Sequence, residues 1–295
     1  MQDEKHIRGN IEILRIVATF GIICYHSGIE YGYFGLIVFL IISGFFSGNG
    51  QIFSQSLNKR FVRIMIPWLF WSLIYGLKNV ARKEPLIDSS NGIVAGILSS
   101  PSIHLWYLPY IFILLLFFDQ LKLRLPKTAL SITCGIISAS ILVLSPFWRD
   151  TSLSFGYPWA QYIHGISAAL FGVFLANHKS ISASTFISIF VINIGAAIRY
   201  LVTKNCGMEY VIAYSAMSFA AVFGESLLIS TKSMMFKISQ CSFGVYLVHP
   251  LVFSVSKKLI HTSEGLLFAS LSFALSICTI LAAKNIFPKY SKSIF

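Results

Sequence analysis

Long apolar stretches follow one another along the chain and are separated by short polar segments. A helix that crosses a bilayer needs roughly 17–25 mostly apolar residues, and the stretches have about that length. They predict about ten membrane-spanning helices, near residues 11–29, 31–48, 60–78, 103–120, 128–147, 160–177, 181–202, 208–230, 238–259 and 264–286. We therefore expect an all-α fold, a polytopic bundle of transmembrane helices.

The connections between the predicted spans are short, with one exception. Residues 79–102 form the longest connection, and Pro85, Asp88 and Gly92 mark it as irregular. No internal repeat, low-complexity tract or change of composition divides the chain. We expect residues 1–295 to be a single integral-membrane domain with no appended soluble domain.

Composition and charge agree with a membrane protein. Hydrophobic residues make up 56% of the chain and charged residues 12%, whereas a soluble domain carries about 25% charged residues. The net charge of +12 comes from lysines and arginines at the ends of apolar runs, which is not the distribution of a nucleic-acid-binding groove. Fourteen of the 23 basic residues fall on one predicted side and eight on the other. This bias places both termini in the cytoplasm.

The first predicted helix contains three ionisable residues: Glu12, Arg15 and His26. Arg15 and His26 are close to three full turns apart, so both project from one face, about 16 Å apart along the axis. Glu12 precedes Arg15 by three residues and can pair with it. Buried ionisable groups mark a polar path, and histidine suits proton transfer. The alternative is a snorkelling Glu12–Arg15 pair at the interface, with His26 capping the outer helix end.

The third predicted helix opens with Lys59, Arg60 and Arg63. Arg60 and Arg63 are three residues apart and are expected to share a helix face. A helix N-terminus attracts anions, and arginine binds phosphates in a bidentate manner, so a cytoplasmic ligand with phosphate groups fits this position. The alternative is an ordinary positive-inside anchor. Pro67 should bend the start of the helix.

Further candidates lie at the fourth and ninth predicted spans. His104 begins the fourth span, where Trp106 and Tyr107 are typical of the aromatic belt at a membrane interface. His249 and Pro250 lie within the ninth span, which favours a structural or site-lining role inside the bundle. The histidines are scattered and the intramembrane carboxylates few, so we expect no metal site.

Five segments resemble, in order along the chain, the motifs of acyltransferase family 3, the integral-membrane O-acyltransferases that modify bacterial surface glycans. They are Arg15 with His26 after ten intervening residues, the Ser-Gly-aromatic stretch in 39–45, the Arg-x-x-Arg…Pro pattern in 59–67, the His-Leu-Trp pattern in 104–108, and Tyr-Leu-x-His-Pro in 246–250. The chain departs from the family at Ile37, where many members carry a polar residue or proline, and at Leu40, which replaces one of two paired phenylalanines.

The resemblance implies a catalytic group and a donor site. His26, Arg15 and Glu12 would form the catalytic group, and Arg60, Arg63 and Lys59 would bind the phosphates of a cytoplasmic acyl-CoA. The acyl thioester would enter the bundle past Arg15, and His26 would activate the acceptor hydroxyl or carry the acyl group in transit. The supporting or site-lining residues would be Ser43, His104, Trp106, Tyr246 and His249.

The resemblance also implies the substrates and the location. The expected donor is acetyl-CoA, and the expected acceptor is a hydroxyl of a surface glycan or a lipid-linked oligosaccharide. The protein would lie in the cell (inner) membrane among its lipids. Two other functions compete with this one: a transporter or flippase for an anionic lipid or glycan, and a non-enzymatic membrane scaffold. A scaffold gives no reason for Arg15 and His26 to share a buried face.

Overall fold

The structure, a computed structural model, describes residues 6–49, 57–176, 183–202, 207–222, 228–288 and 294. It confirms the all-α bundle. The helices are α1 (Gly9–His26), α2 (Phe34–Asn49), α3 (Leu57–Arg60), α4 (Ile66–Ala81), α5 (Ile93–Ser99), α6 (Tyr107–Arg124), α7 (Lys127–Val143), α8 (Ser145–Ser154), α9 (Trp159–Ala176), α10 (Ala183–Val202), α11 (Met208–Val222), α12 (Met234–Ser239), α13 (Ser242–Ile260) and α14 (Gly265–Ile286). Two short strands, β1 (His6–Arg8) and β2 (Leu228–Ser230), pair with each other.

A long helix lies at each of the ten predicted spans. Among the described residues, seven helices are long and apolar enough to cross a membrane, or eight if the bent pair α7 and α8 forms one span. Helix α11 is apolar but shorter, with 15 residues. Helix α1 is 18 residues long but carries Glu12, Arg15 and His26, which lower its hydropathy. The other two predicted spans therefore correspond to α1, which is more polar, and to α11, which is shorter.

Two predicted spans and one connection differ from what the sequence led us to expect. The predicted span at 128–147 stops early, because the chain bends by 78° between α7 and α8, where Pro146 favours the start of a new helix. The predicted span at 208–230 is shorter, since α11 ends at Val222 and residues 228–230 form β2. Residues 177, 181–182 and 223–227 of the predicted spans lie outside the described residues. The long connection at 79–102 contains the short helix α5.

The chain divides into two compact units, which are described separately. The first unit comprises Met1–Ile42, Ser180–Ser291 and Phe295, and the second comprises Ser43–Lys179 and Lys292–Ile294. In the first unit α1 packs against α11, α12, α13 and α14, and α13 packs against α14. In the second unit α7 packs against α9, and α6 packs against α7. The boundary between the units falls within α2.

Two glycines allow α2 to approach its neighbours at backbone distance. A Cβ atom on Gly35 would overlap the carbonyl oxygen of Ala18 on α1, within the first unit. A Cβ atom on Gly44 would overlap the carbonyl oxygen of Ala169 on α9, within the second unit. Small residues at such crossings are typical of packed membrane helices. The glycine of the Ser-Gly-aromatic stretch therefore has a packing role.

The strand pair brings together the starts of two helical segments of the first unit. Strands β1 and β2 are antiparallel, with His6 opposite Ser230. Helix α1 follows β1 directly, and α12 begins four residues after β2. Because both segments start beside the same strand pair, the N-terminal ends of α1 and α12 lie at one end of the unit. The first and ninth predicted spans likewise begin on the same predicted side of the membrane.

Candidate active site

The N-terminal half of α1 holds a charged pair. The Arg15 guanidinium donates from Nη1 to Glu12 Oε1 at 3.1 Å and to Oε2 at 3.2 Å. The Ser239 hydroxyl, at the end of α12, also donates to Glu12. Glu12 is 6% exposed, and the Arg15 side chain is 24% exposed. The pair expected from the three-residue spacing is present, and Ser239 is a partner that the sequence did not reveal.

The C-terminal end of α1 brings two histidines together. The rings of His26 and His249 are 5.0 Å apart between centroids and inclined by 35°. His26 keeps exposed surface, whereas His249 on α13 is fully buried. The His249 ring also contacts Tyr246 and Phe253 of its own helix. The residue from the first-helix motif and the residue from the His-Pro motif are therefore neighbours.

One face of α1 carries both of these contacts. Glu12 contacts Ser239 on α12, and His26 contacts His249 on α13. The partners of this face therefore come from two consecutive helices. Arg15 shares the face through its pair with Glu12. Arg15 and His26 thus lie on one face of α1, with Arg15 paired to Glu12 and His26 against His249. A cation and an imidazole lie about 16 Å apart along one helix.

Two tyrosines and two carboxylates lie near the His26 end of α1. The rings of Tyr25 and Tyr33 are 5.1 Å apart, and Tyr25 is 42% exposed. Glu30 and Glu209 both lie within electrostatic reach of the Tyr25 hydroxyl. This group was not predicted from the sequence, because Glu209, in the first turn of α11, is far from Tyr25 along the chain.

A buried arginine lies close to the same group. The Arg199 guanidinium is 4.1 Å above the centre of the Tyr210 ring, and the residue is 3% exposed. It is also within electrostatic reach of the Tyr33 hydroxyl. From the sequence, Arg199 counted only as one of the basic residues at a helix end. A cation held over an aromatic face inside a membrane protein indicates a fixed charge with a structural or binding role.

The second unit contains a buried charge network. The Arg60 guanidinium donates to both oxygens of Asp119 on α6 and from Nη1 to the Leu115 carbonyl at 3.1 Å. The Lys122 ammonium lies 3.4 Å from Asp119 Oδ1 and donates to the Ser47 carbonyl on α2. Asp119 is fully buried, so two cations neutralise one carboxylate. The network joins the ends of three helices.

The expected common face of Arg60 and Arg63 is not present. Residues Phe61–Met65 form a π-helical turn, and such a turn has more residues than an α-helical one. A spacing of three residues therefore no longer returns to the same face. Arg60 turns inward to Asp119, whereas Lys59 and Arg63 are exposed. Asp119 was not predicted as a partner of Arg60, although its position near the end of an apolar span is a signal for a buried partner.

The fourth-span candidates are buried. His104 is 4% exposed, its Nδ1 atom is 3.0 Å from the Ser102 hydroxyl, and its ring is 5.1 Å from that of Tyr75. Trp106 is 6% and Tyr107 8% exposed, so the expectation that both belong to an interfacial aromatic belt is wrong. Within the second unit the Trp106 ring contacts Tyr110 and Tyr162, and the Tyr107 ring contacts Trp106.

Ser43 contacts one of these aromatic residues. Its hydroxyl is 3.2 Å from the Tyr107 hydroxyl, which links α2 to α6 within the second unit. The candidate residues thus divide between the units. The first unit holds Glu12, Arg15, His26, Tyr246 and His249, and the second holds Ser43, Lys59, Arg60, Arg63, His104 and Trp106.

The described part of the chain contains no group of three or more His, Cys, Asp and Glu side chains that could hold a metal ion. The expectation of a metal-independent reaction stays a prediction.

The fold and these side chains define a multi-pass membrane protein with an ionisable interior. A family model described as an acyltransferase domain matches residues 8–284, nearly the whole chain. The chain therefore belongs to acyltransferase family 3, as the five motifs predicted, and it is a membrane acyltransferase. Neither the curated proteins nor the solved structures include a match to the chain. Family membership favours the acyltransferase function over the transporter and scaffold alternatives.

Proposed function

We propose that this acyltransferase moves an acetyl group from cytoplasmic acetyl-CoA to a hydroxyl of a cell-surface or lipid-linked glycan. The protein lies in the cell (inner) membrane with both termini in the cytoplasm. One observation carries the proposal: His26 has exposed surface, packs against a buried histidine, and shares its helix face with the Glu12–Arg15 pair.

The chemistry assigned to His26 is general base catalysis. Its imidazole takes the proton of the acceptor hydroxyl as the hydroxyl oxygen attacks the thioester carbonyl carbon. The carbon–sulfur bond then breaks, and the CoA thiolate takes the proton back from the imidazolium. Protons balance over the cycle, and the products are the ester and free CoA. The neutral form of His26 is the active one, so the rate should rise with pH until the histidine is fully deprotonated.

Arg15 suits a role in donor binding rather than at the reacting atoms. Its distance from His26 of about 16 Å along the helix axis is comparable to the length of an extended pantetheine arm. A donor whose thioester lies at His26 can extend its pantetheine arm along the helix towards Arg15. Glu12 and Ser239 hold the guanidinium in position. The thioester would then pass along the polar face of α1.

The exposed cations of the second unit suit the phosphates of the donor. Lys59 and Arg63 are exposed, and arginine and lysine recognise phosphate groups. Arg60 is held by Asp119, and Lys122 brings a further positive charge to the same carboxylate. We assign phosphate contact to Lys59 and Arg63, with Arg60 ordering the start of the helix.

The aromatic and acidic group near His26 suits a sugar acceptor. Sugar rings stack on aromatic faces through their C–H groups, and Tyr25 and Tyr33 offer such faces. Sugar hydroxyls donate hydrogen bonds to carboxylates, which Glu30 and Glu209 supply close by. The acceptor hydroxyl would then lie beside the His26 imidazole.

The experiment compares surface glycans of cells with and without the protein by mass spectrometry, together with acetyl transfer by purified protein in proteoliposomes. We expect acetylated glycan only with the protein, and release of CoA by wild type but not by His26→Gln. Glycan transport without CoA release would contradict the proposal and favour the transporter function.

A further inference from the structure

His249 carries its proton on a defined nitrogen. The His249 Nδ1 atom is 2.8 Å from the carbonyl oxygen of Tyr246. A carbonyl oxygen only accepts hydrogen bonds, so Nδ1 must be the protonated nitrogen that donates. Because His249 is fully buried, water does not compete for this carbonyl. The neutral ring is therefore held in one of its two tautomers.

Pro250 explains why the Tyr246 carbonyl accepts this bond. In an α-helix the N–H of residue 250 would donate to the carbonyl of residue 246. Proline has no N–H, and α13 continues through Pro250 from Ser242 to Ile260. The carbonyl of Tyr246 thus lacks its normal helical donor, and the adjacent imidazole replaces it. The spacing of Tyr246, His249 and Pro250 therefore holds the His249 ring in one tautomer, and we call this arrangement the tautomer lock.

The lock leaves a single nitrogen for proton exchange. With Nδ1 bound to the backbone, Nε2 is the nitrogen that accepts a hydrogen bond or a proton. It lies on the side of the ring opposite Nδ1. The His26 ring is the neighbouring imidazole, with 5.0 Å between the ring centroids. A histidine whose second nitrogen is fixed by a carbonyl is a common means of orienting a reactive partner.

We propose that His249 is a positioning residue for His26, locked by Pro250 and accepting a hydrogen bond from the His26 imidazolium through Nε2. This inference rests on the proposed function. The imidazolium forms when His26 removes the acceptor proton, and it disappears when the CoA thiolate recovers that proton. His249 stabilises the charged intermediate form without a net gain or loss of protons.

Other ionisable groups lie near the pair. Tyr25 on α1 contacts His26, and Tyr246 on α13 contacts His249. Glu264, which directly precedes α14, lies beside Gly28 in the turn that follows His26. Both tyrosines are neutral at physiological pH, so they do not replace the second imidazole.

The decisive variant is Pro250→Ala, which restores the backbone N–H that competes for the Tyr246 carbonyl while keeping both imidazoles. We expect the transfer rate of the purified protein to fall about tenfold and the pH profile of kcat to change shape. His249→Ala should lower the rate at least as much. In the His249→Ala background, Pro250→Ala should have no further effect, because the proline acts through the histidine. Pro126→Ala, at the exposed start of α7, is the control and should keep the wild-type rate.

A second variant distinguishes the loss of the accepting His249 nitrogen from a loss of folding. His249→Asn keeps an N–H that can reach the Tyr246 carbonyl but removes the accepting Nε2 nitrogen. We expect it to unfold at the wild-type temperature and to lose about tenfold in rate. Full activity of His249→Asn, or rate losses of Pro250→Ala and His249→Ala that multiply in the double variant, would overturn the proposal.

Nitrogen-15 NMR of histidine-labelled protein tests the lock without any activity measurement. We expect a protonated Nδ1 and an unprotonated Nε2 for His249 in the wild type, and a mixture of tautomers in Pro250→Ala. A His249 ring protonated only on Nε2 would overturn the lock. If the wild type transfers no acyl group but shows the expected tautomer, the proposed function fails while the lock stands.

Discussion

An arginine–carboxylate pair from the first unit can be compared with a buried one from the second, and the two have different roles. Arg15 and Glu12 lie three residues apart on α1, and the arginine side chain keeps 24% of its surface exposed. Arg60 and Asp119 are 59 residues apart and join α3 to α6, with the carboxylate fully buried. The first pair is local and partly accessible, whereas the second holds separate helices together.

This difference indicates which of the two pairs can contact a substrate. The Arg15 side chain keeps part of its surface exposed, so it can contact a substrate group while it stays paired with Glu12. A buried carboxylate with two cationic partners cannot release them without a large penalty. We therefore place substrate contacts on the α1 face and a structural role on the network around Asp119.

The largest expected effect follows from Asp119→Ala. The change leaves Arg60 and Lys122 without their buried carboxylate, and such a loss costs about 3–5 kcal/mol. We expect a strong fall in the unfolding temperature of the purified protein in detergent, measured by thermal scanning. Arg60→Met combined with Asp119→Leu and Lys122→Met should recover much of the stability, because no charge of the network is then left unpaired. An unchanged unfolding temperature for Asp119→Ala would place the network outside the structural core.

Gly44→Ala should have the next largest effect. The added Cβ atom meets the Ala169 backbone oxygen, so α2 must move away from α9 and carry Ser47 away from Lys122. Overpacking of this kind costs about 1–3 kcal/mol. The matched control is Gly76→Ala, whose Cβ atom would meet the exposed side chain of Leu86, which can move aside. Equal unfolding temperatures for the two variants would contradict the backbone contact at Gly44.

Glu12→Gln should sharpen the contrast between the pairs. Glutamine keeps an oxygen for Ser239 but removes the charge that holds Arg15. For a local, partly exposed pair the loss of stability should be below about 1 kcal/mol, far less than for Asp119→Ala. The transfer rate should fall about tenfold, because the guanidinium is no longer oriented. A loss of stability as large as that of Asp119→Ala would remove the distinction.

The smallest expected effect concerns Lys59 and Arg63. Both side chains are exposed, so their contacts with phosphates are screened by water and salt. The double variant Lys59→Gln with Arg63→Gln should raise the KM for acyl-CoA about tenfold, leave kcat near its wild-type value, and weaken the dependence of KM on ionic strength. A wild-type KM at low salt would place the phosphate site elsewhere.

The sequence predicts the α1 site better than the buried network, for a physical reason. The relation of Glu12, Arg15 and His26 depends only on the periodicity of one helix, which a sequence displays directly. Partners such as Ser239 and Asp119 come from other helices, and the pattern of apolar residues does not specify which helices meet. The approximate positions of the ten long helices follow from apolar length alone.

Local irregularities were harder to predict. The π-helical turn at Phe61–Met65 separates Arg60 from Arg63, and it has no simple signature apart from the nearby Pro67. The bend between α7 and α8 had a visible signal in Pro146. The end of α11 also had a visible signal, because Gly224, Glu225 and Ser226 interrupt the apolar run before the strand at Leu228–Ser230.

The most direct test of the central claim is one paired measurement on His26→Gln: the rate of acetyl transfer and the unfolding temperature of the same preparation. His26 lies at an exposed helix end, so its replacement should leave the unfolding temperature nearly unchanged. Loss of a general base lowers the rate by about 10²–10⁴-fold, and we predict a loss in that range. A His26→Gln protein that transfers acetyl groups at the wild-type rate would contradict the assignment of the α1 face as the active site.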